Sequence, residues 1–319
     1  MRITIATSPA EIDALRPAWE RLYEPEHYTI FQTFELNRMA AEHFGDRETP
    51  YVVLAESDSS IALIPAAARN HSGEMTLLGE TLFDYRDVLH AGSHEALSAA
   101  WNEIAKLQRP FACFALRPEA RKRWGHIPTH DFANAPRVGH DEMDCDEFRA
   151  QHNKLGMYCR RLIKRGVHFH ARAGCNRRLL RMIYENKAYQ FANEPNNIFL
   201  DPRRREFMVA ACEALGDACE VFTLESDTHL VAGLVTFRDE TARLFYTIYF
   251  DPAWAKFSPG TVLIYEATAR TLGEGLDCDY MTGEYGYKNR LATSMVPLVR
   301  VEASAEELAQ AAARPRAAA

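Results

Sequence analysis

The chain has 319 residues, of which 47% are hydrophobic and 25% are charged, and its formal net charge is -7. This length and composition are typical of a globular protein with one large or two medium-sized domains. The negative charge argues against a protein that coats DNA non-specifically, and no apolar run approaches the ~20 residues of a membrane span.

The cysteines and the N-terminal residues indicate the compartment. The seven cysteines are an odd set without Cys-x-x-Cys spacing, which predicts neither a disulfide framework nor a zinc site. Residues 1–10 begin with a strand-like pattern and lack the apolar core of a signal peptide. We therefore expect a cytoplasmic protein whose thiols are reduced.

The first part of the chain predicts elements in the order β-α-α-β-β-β-α-β. Residues 2–6 alternate as a strand, and Ser8-Pro9-Ala10-Glu11 is a capping box that begins a helix extending to about residue 23. The outline ends with a buried strand over residues 111–116, which Arg117-Pro118 terminates.

The second part of the chain repeats this outline, beginning with a basic helix over about residues 146–165. The repeat is one of pattern only, because no residue-level self-similarity accompanies it. We expect two α/β halves over residues 1–140 and 141–305. The alanine-rich residues 306–319 predict a disordered tail.

The stretch from residue 241 to residue 291 carries the clearest functional pattern. Residues 242–250 are rich in β-branched and aromatic side chains, which predicts a strand, and Asp251-Pro252 ends it. Ser258-Pro259 then predicts an N-cap and a first helical residue for a helix over residues 261–272, and a further strand is expected over residues 277–281. A helix that begins directly beyond a strand presents unpaired N–H groups, which suit a phosphate.

Several segments resemble the FemAB-related, CelD-like acyltransferases of the GNAT superfamily. The similarity begins with Phe31-Gln32-Thr33 and is strongest over Phe250-Asp251-Pro252-Ala253-Trp254, Phe257-Ser258-Pro259-Gly260 and Gly283-Glu284-Tyr285-Gly286-Tyr287-Lys288. Further landmarks lie between them, at Leu78-Gly79-Glu80, at Phe83-Asp84-Tyr85-Arg86-Asp87 and over residues 200–207. The resemblance implies two GNAT-like α/β halves, an acyltransferase activity, and acetyl-CoA or another acyl-CoA as co-substrate without a permanently bound cofactor.

The resemblance also implies where coenzyme A binds. Its pyrophosphate would contact the backbone at Gly260 and Thr261, with Ser258 as the cap and Tyr249 on the preceding strand. The loop departs from the usual GNAT pattern Q/R-x-x-G-x-G/A, because it holds one glycine and Pro259. Fewer N–H groups can therefore approach the phosphates, and a helix cap without a ligand remains an alternative.

The tyrosine-rich segment that follows offers residues for acyl transfer to an amine. Lys288 matches the lysine that is thought to stabilise developing negative charge in Fem-type enzymes. Glu284 or Asp279 would accept the amine proton, and Tyr285 or Tyr287 would return a proton to the departing thiolate. Asp279 alternatively anchors the loop.

Asp84, Tyr85 and Asp87 form an acidic cluster where the chain leaves a strand of the first half. If the two halves face each other across a cleft, these residues would recognise a cationic or hydroxylated acceptor. The alternative is an Asx-type turn, which aspartates favour without any function.

Other constellations predict no site. His126 and His130 are separated by Pro128, which opposes the helix that would align them, and His168 and His170 lack further metal ligands nearby. No G-x-S-x-G elbow is present. We therefore expect no metal centre and no serine nucleophile.

Three functions are compatible with these patterns. The first is transfer of an acyl group, acetyl in the first instance, from coenzyme A to an amine of a small molecule, sugar or peptide. The second is an aminoacyl-tRNA-dependent Fem-type ligase, supported by a basic surplus in which 13 of the residues between Lys154 and Arg205 are Lys or Arg. The third is a catalytically silent accessory protein of polysaccharide biosynthesis.

Overall fold

The computed structural model describes residues 1–174, 176–194, 197–227, 229–283 and 285–314. The strands are β1 Arg2–Ala6, β2 Glu48–Glu56, β3 Ser60–Arg69, β4 Met75–Leu77, β5 Leu89–Gly92, β6 Phe111–Leu116, β7 Thr129–Val138, β8 His168–Ala173, β9 Cys219–Ser226, β10 His229–Arg238, β11 Ala242–Phe250, β12 Asp277–Asp279 and β13 Ser294–Ala303. The helices are α1 Pro9–Ala14, α2 Arg16–Leu22, α3 Phe34–His43, α4 Glu95–Ala105, α5 Arg121–Trp124, α6 Cys145–Gln151, α7 Asn153–Ile163, α8 Arg177–Gln190, α9 Pro202–Leu215, α10 Pro259–Gly273, α11 Gly286–Leu291 and α12 Ala305–Ala313.

The chain divides into two compact units. The first unit comprises Met1–Ala133 together with Pro297–Ala319, and the second comprises Asn134–Val296. The C-terminal residues therefore belong with the N-terminal half, whereas the sequence predicted consecutive halves that meet at residue 140. The reason is a long-range pairing, because β13 forms an antiparallel ladder with β6 through pairs such as Val301↔Cys113.

In the first unit, the strand order is β1-β2-β3-β4-β6-β13, and β5 pairs with β3. Helix α4 packs on this sheet with a stripe of buried residues at helical spacing, namely Leu97, Ala100, Trp101 and Ile104. The Trp101 ring meets Phe111 of β6 edge to face, with ring centroids 5.4 Å apart. This apolar layer fixes the helix against the sheet.

In the second unit, the strand order is β7-β12-β11-β10-β9-β8, and the pairs whose register is described are antiparallel except for the parallel β11–β12 pair. Helix α10 connects these two parallel strands and is buried along most of its length, including Val262, Leu263 and Ala267. Parallel neighbouring strands require a long crossover connection, which is usually a helix. The crossover sets the beginning of α10 beyond the end of β11.

Three predicted helical features differ from the structure, and the first is the basic helix expected over about residues 146–165, which is two helices, α6 and α7, separated at His152. The helix expected over residues 8–23 is two helices, α1 and α2, because Pro17 lies in the first turn of α2 and restricts the chain before it. The tail expected from residue 306 contains α12, which begins with a capping box between Ser304 and Glu307 and buries Leu308. Residues 315–319 of the expected tail lie outside the described residues.

Within the described residues, none of the helices combines the length and the apolar character that crossing a bilayer requires.

Candidate active site

The two parallel strands of the second unit separate from each other. Their ladder consists of Ala242↔Asp277, Arg243↔Cys278 and Leu244↔Asp279, after which β12 ends while β11 continues to Phe250. The predicted strand over residues 277–281 is therefore two residues shorter. Beyond Leu244 the edge of β11 is no longer covered by β12, which creates room for a ligand beside the strand.

The beginning of α10 lies at this opening and lacks a side-chain cap. Ser258 has a left-handed backbone (φ 50°, ψ 49°), and its side chain makes no cap hydrogen bond. The predicted capping by the Ser258 hydroxyl is therefore wrong, since the left-handed backbone places that side chain outside the extended geometry of a capping residue. The first intrahelical bond is donated by Val262 N to Ser258 O at 3.0 Å. The N–H groups of Gly260 and Thr261 precede it, in the turn where a helix has no acceptors for its own donors.

Packing also favours glycine at residue 260. A Cβ atom at this position would lie 3.1 Å from the Phe250 ring, which is tighter than ordinary van der Waals contact. Glycine therefore allows the end of β11 and the beginning of α10 to approach closely.

A cavity of about 620 Å³ opens at the beginning of α10. Its lining is mainly apolar, with a few polar groups, which is typical of sites for small molecules and cofactors. The described lining consists of Lys187, Gln190, Phe191, Glu194, Ile248, Phe250, Pro252, Ala255, Ser258, Pro259, Gly260, Thr261, Ile264, Tyr285 and Tyr287. The structure thus brings Ser258, Gly260 and Thr261 together with the two tyrosines around one space.

The two tyrosines form a stacked pair at the cavity. Their ring centroids are 6.0 Å apart with an interplanar angle of 17°. Tyr285 is 54% exposed, whereas Tyr287 packs against the core of the second unit, and burial raises the pKa of the Tyr287 hydroxyl. That hydroxyl therefore stays protonated in the neutral range and is a weaker acid than the hydroxyl of an exposed tyrosine.

Lys288 lies on α11 and is directed at the main chain. Its ammonium group donates to Tyr280 O at 2.7 Å and to Thr282 O at 2.8 Å, and the residue is only 8% exposed. These bonds hold the segment that connects β12 to α11. Lys288 does not belong to the described lining of the cavity.

The contacts of Asp279 are those of a residue that anchors the loop, which was the alternative to a role in accepting the amine proton. Its Oδ1 accepts a hydrogen bond from Met281 N at 2.7 Å, and Met281 has a left-handed backbone with φ 58°. An aspartate that bonds a backbone N–H two residues on stabilises such a turn. Glu284, the other candidate for accepting the amine proton, lies outside the described residues.

Tyr249 is on the opposite face of β11 from the cavity. Its neighbours Ile248 and Phe250 line the cavity, and Tyr249 is not in the described lining. Side chains along a strand alternate between the two faces, so the predicted cofactor contact of Tyr249 is not available in this arrangement. The sequence predicted the strand, but it did not predict which face of the strand Tyr249 occupies.

In the first unit, Tyr85 and Asp87 are buried. The Asp87 carboxylate is ion-paired with the Arg123 guanidinium, and its Oδ1 accepts from Val88 N at 2.7 Å. Burial raises the pKa of the Asp87 carboxyl, while Arg123 acts in the opposite direction. Asp87 is therefore part of a structural ion pair. Of the three residues predicted to bind the acceptor, only Asp84 is partly exposed.

Sequence reasoning missed the residues that α8 and the following turn contribute to the cavity, namely Lys187, Gln190, Phe191 and Glu194. A signal was present, because Leu180, Ile183 and Tyr184 form a buried stripe that reaches Lys187 at helical spacing. A lysine on such a stripe is unusual. Such a lysine predicts that its amino group lies in a cavity or at the edge of one.

One cluster of ligand-type side chains lies elsewhere in the second unit. The possible ligand atoms of His140, Asp141 and Asp277 are within 4.8 Å of one another among the described residues. The Asp277 carboxylate is already ion-paired with the Arg137 guanidinium, whose positive charge opposes a cation. The cluster is therefore accounted for by ion pairing.

Comparisons with known proteins agree with this geometry. Residues 149–289 match the family model described as an acetyltransferase (GNAT) domain. No curated protein sequence gives a significant match.

Solved structures with similar folds cover nearly the whole chain. FemX aligns with a TM-score of 0.56 at 10% identity, covering 97% of this chain and 99% of FemX. L-PGS from Bacillus licheniformis aligns with a TM-score of 0.55 at 9% identity, covering 88% and 97%. A tandem GNAT protein from the clavulanic acid biosynthesis pathway aligns with a TM-score of 0.50 at 10% identity, covering 94% and 98%. These likenesses confirm the predicted α/β class and the tandem GNAT-like fold.

Proposed function

We propose that this chain, an acyltransferase of the GNAT type, transfers an acyl group from coenzyme A to an amine of a small molecule, sugar or peptide. Acetyl is the first acyl group to test. The single observation that carries the proposal is the cavity at the beginning of α10, where an uncapped helix N-terminus faces the tyrosine pair.

Donor binding is supported by the unpaired N–H groups of Gly260 and Thr261. Such groups, together with the positive end of the helix dipole, stabilise a pyrophosphate. Pro259 at the first helical position contributes no N–H, so two donors rather than three serve the phosphates. The apolar wall formed by Ile248 and Phe250 suits the pantetheine arm that would run along the open edge of β11.

Acyl transfer then requires a proton for the departing thiolate. Tyr287 is the proposed donor, because it lines the cavity and its hydroxyl carries a proton in the neutral range. Tyr285 is the alternative, being more exposed and stacked on Tyr287. Glu284 remains the proposed acceptor of the amine proton.

Lys288 is proposed to act as a positioning residue. Its two bonds to backbone carbonyls hold the strand end from which the tyrosine segment departs. Its positive charge also favours negative charge that develops nearby during the reaction. Asp84 remains a proposed contact for a cationic acceptor.

The test is calorimetric titration of the protein with acetyl-CoA, followed by measurement of thiol release with a panel of primary amines. Saturable binding with release of free coenzyme A in the presence of at least one amine supports the proposal. At a concentration of acetyl-CoA 100 times its Kd, the folded state should gain about 2.7 kcal/mol. No binding at millimolar acetyl-CoA would contradict the proposal.

An aminoacyl-tRNA donor is the second candidate, and one surface feature favours it. Exposed basic side chains are concentrated on and after α7, namely Lys154, Arg160, Arg161, Lys164 and Arg165. A polyanion that neutralises several of these charges would bind with a steep dependence on salt. Binding of tRNA that weakens steeply between low and physiological salt, without binding of acetyl-CoA, would favour this donor over coenzyme A.

A further inference from the structure

Lys187 supplies a primary amine to the cavity at the beginning of α10. It lies in the last turn of α8 and lines the cavity together with Phe191, whose ring centroid is 4.0 Å from the Lys187 Nζ. The same cavity reaches the N–H groups of α10 and the tyrosine pair. Because Lys187, Gly260 and Thr261 line this one space, a donor that binds at the beginning of α10 shares the cavity with the Lys187 side chain.

The surroundings of Lys187 favour the neutral amine. Burial lowers the pKa of the Lys187 ammonium to about 8, and the Glu194 carboxylate acts in the opposite direction. The other titratable groups of the described lining are Tyr285 and Tyr287, of which Tyr287 stays protonated in the neutral range. At pH 8, an amine with this pKa has a neutral fraction about 100 times that of an ordinary lysine with a pKa near 10.4. Only the neutral amine is a nucleophile.

The other lysine of this region is arranged differently. Lys288 donates to two backbone carbonyls and is absent from the described lining of the cavity. Its nitrogen is committed to holding the main chain. Lys187 is therefore the lysine that the described lining presents to a bound thioester.

We propose that Lys187 is a site of self-acylation, at which its ε-amine attacks the carbonyl carbon of an acyl-coenzyme A thioester bound in the cavity. The C–N bond forms as the C–S bond breaks. Coenzyme A leaves as the thiol, taking up the proton that the amine loses, and the side chain becomes an N-acyl-lysine. The proposal rests on the proposed function, since it requires acyl-CoA in this cavity. Acylation removes the charge of Lys187 and adds volume to the cavity, so it should weaken binding of the next donor.

The experiment incubates the purified protein with acetyl-CoA at pH 8, without an added amine, and follows acetylation of each lysine by peptide mapping and mass spectrometry. Lys256, an exposed lysine on the segment that leads to α10, is the internal control. We expect Lys187 to be acetylated at least about tenfold faster than Lys256, given its larger neutral fraction. Excess coenzyme A should slow the reaction at Lys187 alone.

The dependence on pH gives a second readout. Between pH 8 and pH 10 the rate at Lys187 should rise only about twofold, whereas a lysine with an ordinary pKa should react more than about tenfold faster. The variant Lys187→Arg keeps the positive charge and should lose the acetyl group at this position. Its melting temperature should still rise with acetyl-CoA.

The melting temperature measured with acetyl-CoA distinguishes failure of the self-acylation proposal alone from failure of the proposed function as well. A rise in melting temperature together with acetylation at Lys187 no faster than at Lys256 overturns self-acylation and leaves the proposed function intact. Acetylation at Lys187 that excess coenzyme A does not slow also overturns it. No rise in melting temperature and no acetylation at Lys187 overturn both proposals.

Discussion

A negative charge at residue 261 should separate donor binding from the stability of the protein. Thr261 is the third residue of α10 and lines the cavity. In Thr261→Glu, the carboxylate lies near the positive end of the helix dipole, where an acidic side chain typically stabilises by about 0.3–1 kcal/mol. The unliganded variant should therefore be as stable as the native protein or slightly more stable.

The same carboxylate should oppose a pyrophosphate. At a charge separation of ~6 Å and an effective dielectric constant of ~20, two like unit charges repel by about 3 kcal/mol. A loss of this size raises the Kd for acetyl-CoA by roughly 100-fold. The two effects have opposite signs, so general damage to the protein cannot produce both.

The assay is calorimetric titration with acetyl-CoA, combined with thermal unfolding of the unliganded proteins. Thr261→Gln is the matched control, because it has the same length without the charge, and its Kd should stay within about tenfold of the native value. Native affinity in both the Glu and the Gln variants would refute the placement of the pyrophosphate. An equal loss in both would show that the size of the side chain, rather than its charge, is responsible.

Three further substitutions test the assigned roles. Lys288→Met removes the lysine donor from the buried Tyr280 carbonyl, at a cost of about 1–3 kcal/mol, and from the partly buried Thr282 carbonyl. It should lower the rate of thiol release far more than the affinity for acetyl-CoA, and an unchanged rate would remove Lys288 from the mechanism. Tyr287→Phe retains the ring stack and should slow thiol release with little change in the Kd for acetyl-CoA. Full activity of this variant would show that another group donates the proton. Asp87→Ala removes the buried carboxylate that pairs with Arg123, so it should lower the free energy of unfolding by roughly 3 kcal/mol, as measured by thermal unfolding. The affinity for acetyl-CoA should stay unchanged. A large loss of affinity would instead indicate a role of Asp87 in the donor site.

The strand and helix of the donor site could be predicted from local signals. Residues 242–250 form β11 as expected, because β-branched and aromatic side chains dominate them. The helix expected over residues 261–272, with Pro259 as its first helical residue, is α10, which extends over Pro259–Gly273. Proline is favoured at the first helical position, and this preference correctly predicted where the helix begins.

The conformation of Ser258 could not be predicted from residue type. Serine before a helix is usually an extended capping residue, but here the turn Pro252–Phe257 leads directly into α10, and Ser258 connects them with a left-handed backbone. The tight path of the chain thus overrides the preference of serine. It leaves the helix donors open to the cavity.

Long-range pairing explains the remaining differences. The pairing of β13 with β6 joins Val301 to Cys113, far apart in the chain, and no local pattern reveals it. The contribution of Lys187 to the cavity likewise depends on the packing of α8 beside β11. Periodicity could have identified Lys187 as a polar residue on a buried stripe, but not the space that it faces.

The most direct test of the central claim is a crystal structure of the protein with coenzyme A bound. The account predicts that the pyrophosphate lies within hydrogen-bonding distance of the N–H groups of Gly260 and Thr261, with the pantetheine arm beside Ile248 and Phe250. Coenzyme A bound elsewhere, with the beginning of α10 in contact with solvent alone, would contradict it.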